Sequence, residues 1–384
     1  MRSVRVILEA LCDLLIEKGI IRPEKPKEGF AFIVHPRGTH DAVRQYPFAK
    51  FLSPRVIEFW ARHYWPFIGS RITGLKNKAG EDIPGWIIIC PLMARQILED
   101  RKLATKMILR SVRLAENMGA KMVGLGALLA SVTNGGQELL SRTSISLTTG
   151  RTMTALTVFQ FTLQALELLE ERIENITVAI VGAAGSVGGA TALLLEKAGA
   201  KNFILIDIER KSERVEKLMR DINSSGHLNI RKSHRIGDIK DADVIVTATN
   251  TPEALVLSDD VKPGAIVVDD AQPSDVHPDV MKRDDVLVLS AGVLHTPGIL
   301  SHFNFSLAKR DENFSCLGEV LLLMKEGLYE NHFAIGAFEY SQIGLLKNLA
   351  EREGFVPGTF QNGYKIYTAD DINRVKAIRK ERIL

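Results

Sequence analysis

The chain has 384 residues, 46% of them hydrophobic and 25% charged, enough for two or three cores at about one domain per 150 residues. A formal net charge of +3 is too small to make nucleic acid the main partner, so an anionic partner must be met by a local patch. Three widely spaced cysteines, Cys12, Cys90 and Cys316, exclude a disulfide framework and a C-x-x-C metal site and suit a reducing compartment.

Charged residues interrupt the first apolar run, unlike a secretory signal, and no stretch reaches about 18 uncharged apolar residues. A cytoplasmic protein without a transmembrane segment is expected. Val4 to Ile20 places Val4, Ile7, Leu8, Leu11, Leu14 and Leu15 on one helical stripe, an amphipathic helix that packs on another element or subunit. Its polar face is mixed in sign, which argues against a membrane-surface helix.

From Phe30 the pattern becomes short strands punctuated by turns: Ala31 to His35, Ser70 to Leu75 and Pro84 to Cys90. A long helix, Ala94 to Met118, closes at Gly119, and Lys121 to Ala130 reads as a strand running into a glycine turn. On that helix Lys102, Lys106, Arg110 and Arg113 share one face, either a solvated surface or a dock for an acidic partner. The threonine-dense turn Ser146 to Thr154 leads into a helix from Ala155 to Leu169; its Thr148, Thr149 and Gly150 either cap that helix or line a substrate site.

Strand, turn, helix and strand then follow from Ile176 to Asp207. Gly182, Gly185 and Gly188 stand three apart, the spacing of a G-x-x-G-x-x-G dinucleotide fingerprint, with Ala183, Ser186 and Val187 between them. Lacking Cβ atoms, such a turn lets backbone approach a pyrophosphate at a helix N-terminus. Asp207 comes nineteen residues after Gly188, where a carboxylate accepts the ribose hydroxyls of NAD and would repel the 2′-phosphate of NADPH. Arg210, Lys211 and Arg214 follow closely enough to receive that phosphate. A helix, Lys211 to Ile222, and strands Val244 to Thr247, Ala265 to Asp269 and Val286 to Leu289 continue the doubly wound pattern. Thr247, Thr249 and the segment Asp269 to Pro273 fall at strand carboxyl ends, where the nicotinamide would lie.

Near the C-terminus an apolar helix, about Ser315 to Lys325, carries Cys316 in its first turn; a helix from Tyr340 to Arg352 and a charged helical tail follow. The dipole and free N–H groups of a helix start lower a thiol pKa. A thiolate that accepts an acyl group, together with a nicotinamide, makes a reductive pair. His295, after the Val286 to Leu289 strand, is the candidate proton donor, set against a surface loop histidine.

Gly124-Leu-Gly-Ala-Leu-Leu-Ala-Ser, Thr148-Thr-Gly-Arg-Thr-Met-Thr-Ala155, Thr177-Val-Ala-Ile-Val-Gly-Ala-Ala-Gly-Ser-Val-Gly188 and Phe314-Ser-Cys-Leu-Gly-Glu-Val-Leu-Leu322 together resemble the cyanobacterial-type long-chain acyl-acyl-carrier-protein reductases. The resemblance runs in order from about Phe30 to Pro357. It implies an acyl-enzyme on Cys316, NADPH at the glycine turn, an acyl-carrier protein or acyl-CoA as substrate partner and a fatty aldehyde as product. Asp207 and the extra length at both ends depart from it, and Asp207 keeps NADH open. Three rivals remain: a shikimate-type or amino-acid dehydrogenase, a glutamyl-tRNA-reductase-like enzyme, and a non-catalytic nucleotide-binding module.

The expected fold is α/β. A doubly wound Rossmann domain (155–310) accompanies an N-terminal α/β substrate domain (1–154, with a helical extension over 1–29). C-terminal helices (311–384) carry Cys316 and pack back on the N-terminal domain.

Overall fold

A computed structural model of the protein describes residues 2–223, 226–336 and 338–383, with the side chains of 1–7, 47 and 382–383 outside that description. The chain forms two compact units, Met1–Gly150 with Thr296–Phe355, and Arg151–His295 with Val356–Leu384.

The first unit is built on a five-stranded sheet. Its strands are β1 (Phe30–Val34), β2 (Phe67–Ile72), β3 (Gly85–Ile89), β4 (Met122–Leu125) and β5 (Ser146–Thr148). They lie in the order β2-β3-β1-β4-β5, all pairs parallel except β2 with β3. Strands β1 and β3 are almost entirely buried, as continuous Phe/Ile/Val runs require of a sheet covered on both faces. The helix Ser315–Glu326 covers one face: Gly124 of β4 leaves room for Val320, whose Cγ2 would lie 2.4 Å from a Cβ there.

The expected long helix is two, Ala94–Glu99 and Arg101–Met118. Asp100 breaks it, because its carboxylate accepts the Leu103 N–H at 3.0 Å and so caps a new helix start. The first helix, Arg2–Glu17, also departs from expectation. Its buried residues include Ala10, Asp13, Ile16 and Glu17, whereas Leu8, Leu11 and Leu15 of the predicted stripe are exposed; the side chains of Val4 and Ile7 lie outside the described ones. Polar anchoring sets this orientation. Asp13 accepts the Ile68 N–H at 2.8 Å and Glu17 holds Arg110.

The second unit contains a six-stranded parallel sheet of β6 (Thr177–Val181), β7 (Asn202–Ile206), β8 (Asn229–Ser233), β9 (Val244–Thr247), β10 (Ile266–Asp269) and β11 (Leu287–Ser290). The order β8-β7-β6-β9-β10-β11 is the doubly wound arrangement in which strand order reverses between the first and fourth strands. Register brings Val181, Ile206 and Thr247 level, with Asp269 beside Thr247, so the carboxyl ends of the strands form one edge. The segment after Phe355 belongs to this unit rather than to the first. Tyr367 Oη accepts the Val288 N–H at 2.8 Å, and Arg379 donates to Gly264 O at 2.7 Å and to Glu171 at 2.9 Å. Among the described residues no helix is long and apolar enough to cross a membrane.

Candidate functional site

In the second unit, the chain leaves β6 at Gly182 with φ +86°, and a Cβ there would sit 2.5 Å from Ala248 O. A Cβ on Gly188 would sit 2.5 Å from Gly182 O, and one on Gly185 3.0 Å from the same atom. The glycines therefore give a turn with no space for side chains, and Gly185 leads into the helix Ser186–Lys197 with no side-chain cap on its first N–H groups. Uncapped N–H groups at a helix start beside bare backbone suit a pyrophosphate. Gly182, Ala183, Gly185, Ser186, Val187 and Gly188 all fall in this turn or its helix start.

Asp207 follows directly after β7 and is buried. Its Oδ2 accepts the Ala184 N–H at 2.9 Å, its Oδ1 accepts the Ile208 N–H at 2.9 Å, and Lys211 Nζ lies 3.2 Å from Oδ1. The carboxylate thus fastens the glycine turn and already carries a cation. Arg210 and Arg214 are exposed just beyond it, and His234 Nδ1 lies 2.9 Å from Asp207 O. The sequence reading missed His234, since its approach depends on β7 and β8 being neighbours.

Thr247 and Thr249 stand at the same sheet edge with their hydroxyls already engaged. Thr247 Oγ1 donates to Asp269 Oδ1 at 2.7 Å, and Thr249 Oγ1 donates to Asp275 Oδ1 at 2.6 Å. They anchor an acidic group of Asp269, Asp270 and Asp275. Burial, reinforced by Asp269, pushes the Asp275 carboxyl up to about 7; burial and its two acidic neighbours push Asp270 well above the carboxylate range. Protonated carboxyls are hydrogen-bond donors, so this edge offers donors as well as acceptors. His295 is half-buried at the end of a short strand, Val293–His295, and pairs with Val356.

In the first unit, Cys316 is the second residue of the helix Ser315–Glu326. Among the cysteines it is half-buried, Cys12 is exposed and Cys90 is buried, where desolvation pushes the Cys90 thiol up to about 12. Phe314 supplies no side-chain cap to the Cys316 helix, and the buried Ser315 Oγ has no hydrogen-bond partner among the described residues. Gly150 lies against the thiol-bearing turn. With φ +72°, its Cβ would be 2.2 Å from Cys316 Cβ and 2.3 Å from Cys316 Cα.

One helical turn after Cys316, the buried carboxylate of Glu319 accepts the Gly150 N–H at 3.0 Å and the Thr148 hydroxyl. Thr149 Oγ1 donates to Ala334 O at 2.7 Å. The two threonine hydroxyls hold the turn in place rather than presenting themselves to a ligand, and the turn in turn fixes Cys316. Glu319 was not predicted. It sits three residues after Cys316, on the same helix face, but its partner Thr148 is 171 residues away.

The basic stripe lies along a groove of about 1010 Å³ that is also lined by Lys18 and Arg142. Two of the four predicted cations share one carboxylate there. Arg110 binds both oxygens of Glu17 at 2.9 and 3.2 Å, and Arg113 lies 3.7 Å from it. Among the described residues Lys18, Lys102, Lys106 and Arg142 form no ion pair and carry the positive charge of the groove. Among the described residues there is also no group of His, Cys, Asp and Glu that could hold a metal ion.

The doubly wound sheet and its glycine turn define a Rossmann-type dinucleotide-binding unit. A family described as shikimate/quinate 5-dehydrogenase matches residues 164–294, within that unit. The chain is 25% identical over 341 residues to the aminotransferase PigE of Serratia sp., covering 85% of this chain but 39% of that protein, so it spans about two fifths of that relative's length. It is 26% identical over 319 residues to a long-chain acyl-[acyl-carrier-protein] reductase of Synechococcus elongatus, covering 78% of this chain and 90% of that protein. The solved NAD-dependent malic enzyme of Thermotoga maritima aligns with 92% of this chain and 84% of its own at 14% identity and a TM-score of 0.42, a distant likeness that bears on neither substrate nor mechanism. The family match and the reductase relative support an NAD(P)-dependent oxidoreductase.

Proposed function

We propose that the protein reduces a long-chain acyl thioester, carried by acyl-carrier protein or CoA, to the fatty aldehyde through an acyl-enzyme on Cys316. The observation that carries this reading is the construction around the thiol: Cys316 in the first turn of an uncapped helix, with Gly150 pressed against it and Glu319 fastening that turn. The dipole of a helix start favours a thiolate in the first turn. The likeness to the Synechococcus reductase over most of both chains supports the choice of substrate.

The Cys316 Sγ attacks the thioester carbonyl, and the carrier leaves as its thiolate. When bound, NAD(P)H supplies hydride to the carbonyl carbon of the new Cys316 thioester. The C–S bond then breaks, and the cysteine sulfur leaves as a thiolate that takes up a proton, giving aldehyde and free thiol. His295 is the proposed proton donor. The Ser315 hydroxyl is the donor proposed to hold the carbonyl oxygen.

The glycine turn has the bare backbone that the cofactor pyrophosphate needs, with Asp207 and Lys211 beside it. NADPH is the proposed cofactor, because Lys211 offsets Asp207 and Arg210, Arg214 and His234 stand nearby. NADH remains the alternative through a direct ribose contact of Asp207.

The test is incubation with acyl-CoA and acyl-carrier protein, with and without NADPH, followed by intact-protein mass spectrometry and aldehyde detection. Cys316→Ala and Cys316→Ser should bind NADPH normally yet form no adduct, while Cys12→Ala and Cys90→Ala remain active. Aldehyde formation by Cys316→Ala at the wild-type rate would overturn the mechanism. In the same assay Lys102→Glu with Lys106→Glu should raise KM for the carrier-protein substrate by roughly fivefold or more and leave acyl-CoA less affected. Equal effects on both substrates would reduce the groove to a solvated face.

A further inference from the structure

One surface of the first unit is unlike the rest of the molecule. The segment from Pro47 to His63 forms a short 3-10 helix, Pro47–Phe51, and an α-helix, Pro54–His63, started by Ser53 and Pro54. Ala49, Ile57 and Ala61 face inward onto a small core with Met93. Of the other side chains, Phe51 is 80% exposed, Phe59 61% and Trp60 59%, with Phe48, Leu52 and Val56 also exposed. Val56, Phe59 and Trp60 follow helical spacing, so they share one face, displaced from the buried Ile57 and Ala61. A water-soluble surface rarely collects six large exposed apolar side chains within thirteen residues, three of them aromatics more than half exposed.

The charges within the segment are also sorted. Arg62 is paired with Asp100, and just ahead of the segment Arg44 and Arg37 are paired with Asp41. Among the described residues Lys50 and Arg55 make no ion pair; Lys50 lies over the Phe51 ring, 4.9 Å from its centroid. Glu58 is the segment's single acid and makes no ion pair among the described residues. The neighbouring helix Arg2–Glu17, joined to this region by the Trp65 indole donating to Ala10 O, exposes Leu8, Leu11 and Leu15 in addition.

We propose that the Pro47–His63 segment is a docking surface for an anionic lipid bilayer, with Phe51, Val56, Phe59 and Trp60 entering the interfacial layer and Lys50 and Arg55 meeting the headgroups. Aromatic side chains favour the level of the headgroups, and basic residues at the rim of an apolar face select anionic lipid. This inference is independent of the reductase reading, since none of these residues belongs to the Cys316 turn or the glycine turn.

The experiment uses the full chain with vesicles of phosphatidylcholine alone or with about a third phosphatidylglycerol, read by co-sedimentation and by tryptophan emission. Of the three tryptophans, Trp86 is buried and Trp65 half-buried, so Trp60 is the exposed one. Binding to the anionic vesicles with a blue shift that Trp60→Phe removes is expected. Phe51→Ser with Phe59→Ser and Trp60→Ser should lower partitioning at least about tenfold. As a second variant, Lys50→Glu with Arg55→Glu should lower it about fivefold per charge on anionic vesicles and little on neutral ones. The proposal fails if the wild type does not bind anionic vesicles at millimolar lipid, or if the triple variant binds equally well. It also fails if light scattering shows a dimer that the triple variant dissociates, which would assign the face to a second copy of the chain.

Discussion

Replacing Gly150 by alanine is the sharpest probe of the Cys316 site, since it adds one methyl group and no charge. Its left-handed φ of +72° costs a residue with a Cβ about 1 kcal/mol. The new Cβ would stand 2.2 Å from Cys316 Cβ where ordinary contact begins at 3.4 Å, so the turn and the helix start must part by about 1 Å, against the bond from Gly150 N–H to Glu319. Strain and partial loss of that bond together suggest a stability loss of about 2–3 kcal/mol, or a Tm lower by roughly 4–10 °C. A displacement of that size at a reacting atom slows chemistry by on the order of a hundredfold. Acyl transfer to Cys316, followed by quenched-flow mass spectrometry with acyl-CoA, should fall by about that factor. NADPH affinity, measured by fluorescence titration, should stay within about twofold because the glycine turn lies in the other unit. Acylation of Gly150→Ala at a rate within threefold of wild type would refute the idea that this backbone contact positions the thiol.

Two further outcomes are expected. Asp207→Ala removes the acceptor of the Ala184 and Ile208 N–H groups and frees Lys211, so KM should rise for both cofactors while kcat/KM shifts toward NADPH by about fivefold or more; an unchanged ratio would mean that the carboxylate has no contact with the ribose. For Asp275, burial raises the folded-state carboxyl to about 7 while the unfolded value stays near 3.9. The native state therefore holds a proton that the unfolded state has released between about pH 4 and pH 7, and stability falls as pH rises through that window. Asp275→Asn should flatten the fall by up to about 3 kcal/mol in urea titrations from pH 4.5 to 8, and a wild-type-to-variant difference that does not depend on pH would contradict it.

The dinucleotide-binding half was legible because its signals are local. Gly182, Gly185, Gly188 and Asp207 lie within one strand-turn-helix-strand, and the apolar runs Thr177 to Val181 and Val244 to Thr247 match β6 and β9. Strand β8 escaped notice, since Asn229-Ile-Arg-Lys-Ser233 is an edge strand with a mostly polar sequence and gives little apolar pattern to read. The first helix was found but its facing was misjudged: apolar periodicity pointed at Leu8, Leu11 and Leu15, whereas Asp13 and Glu17 determine what is buried. Cys316 could be singled out from its place at a helix start. Glu319, His234 and Asp275 could not, because each owes its role to a partner on another element.

The order in which the chain is assigned to its two units, first, second, first and second again, bears on how the protein is made. Strands β1 to β5 leave the ribosome long before the helix Ser315–Glu326 that covers them, and the 171 residues between Thr148 and Glu319 represent roughly 10–30 s of synthesis. During that interval the second unit's sheet has time to form, while Gly124 and the Thr148 turn wait uncovered. Cys316 therefore arrives on the last segment of its unit, Thr296–Phe355. Any nascent or proteolytically shortened chain ending before residue 315 lacks the thiol and exposes the apolar sheet face beneath it, the kind of species that chaperones and proteases remove.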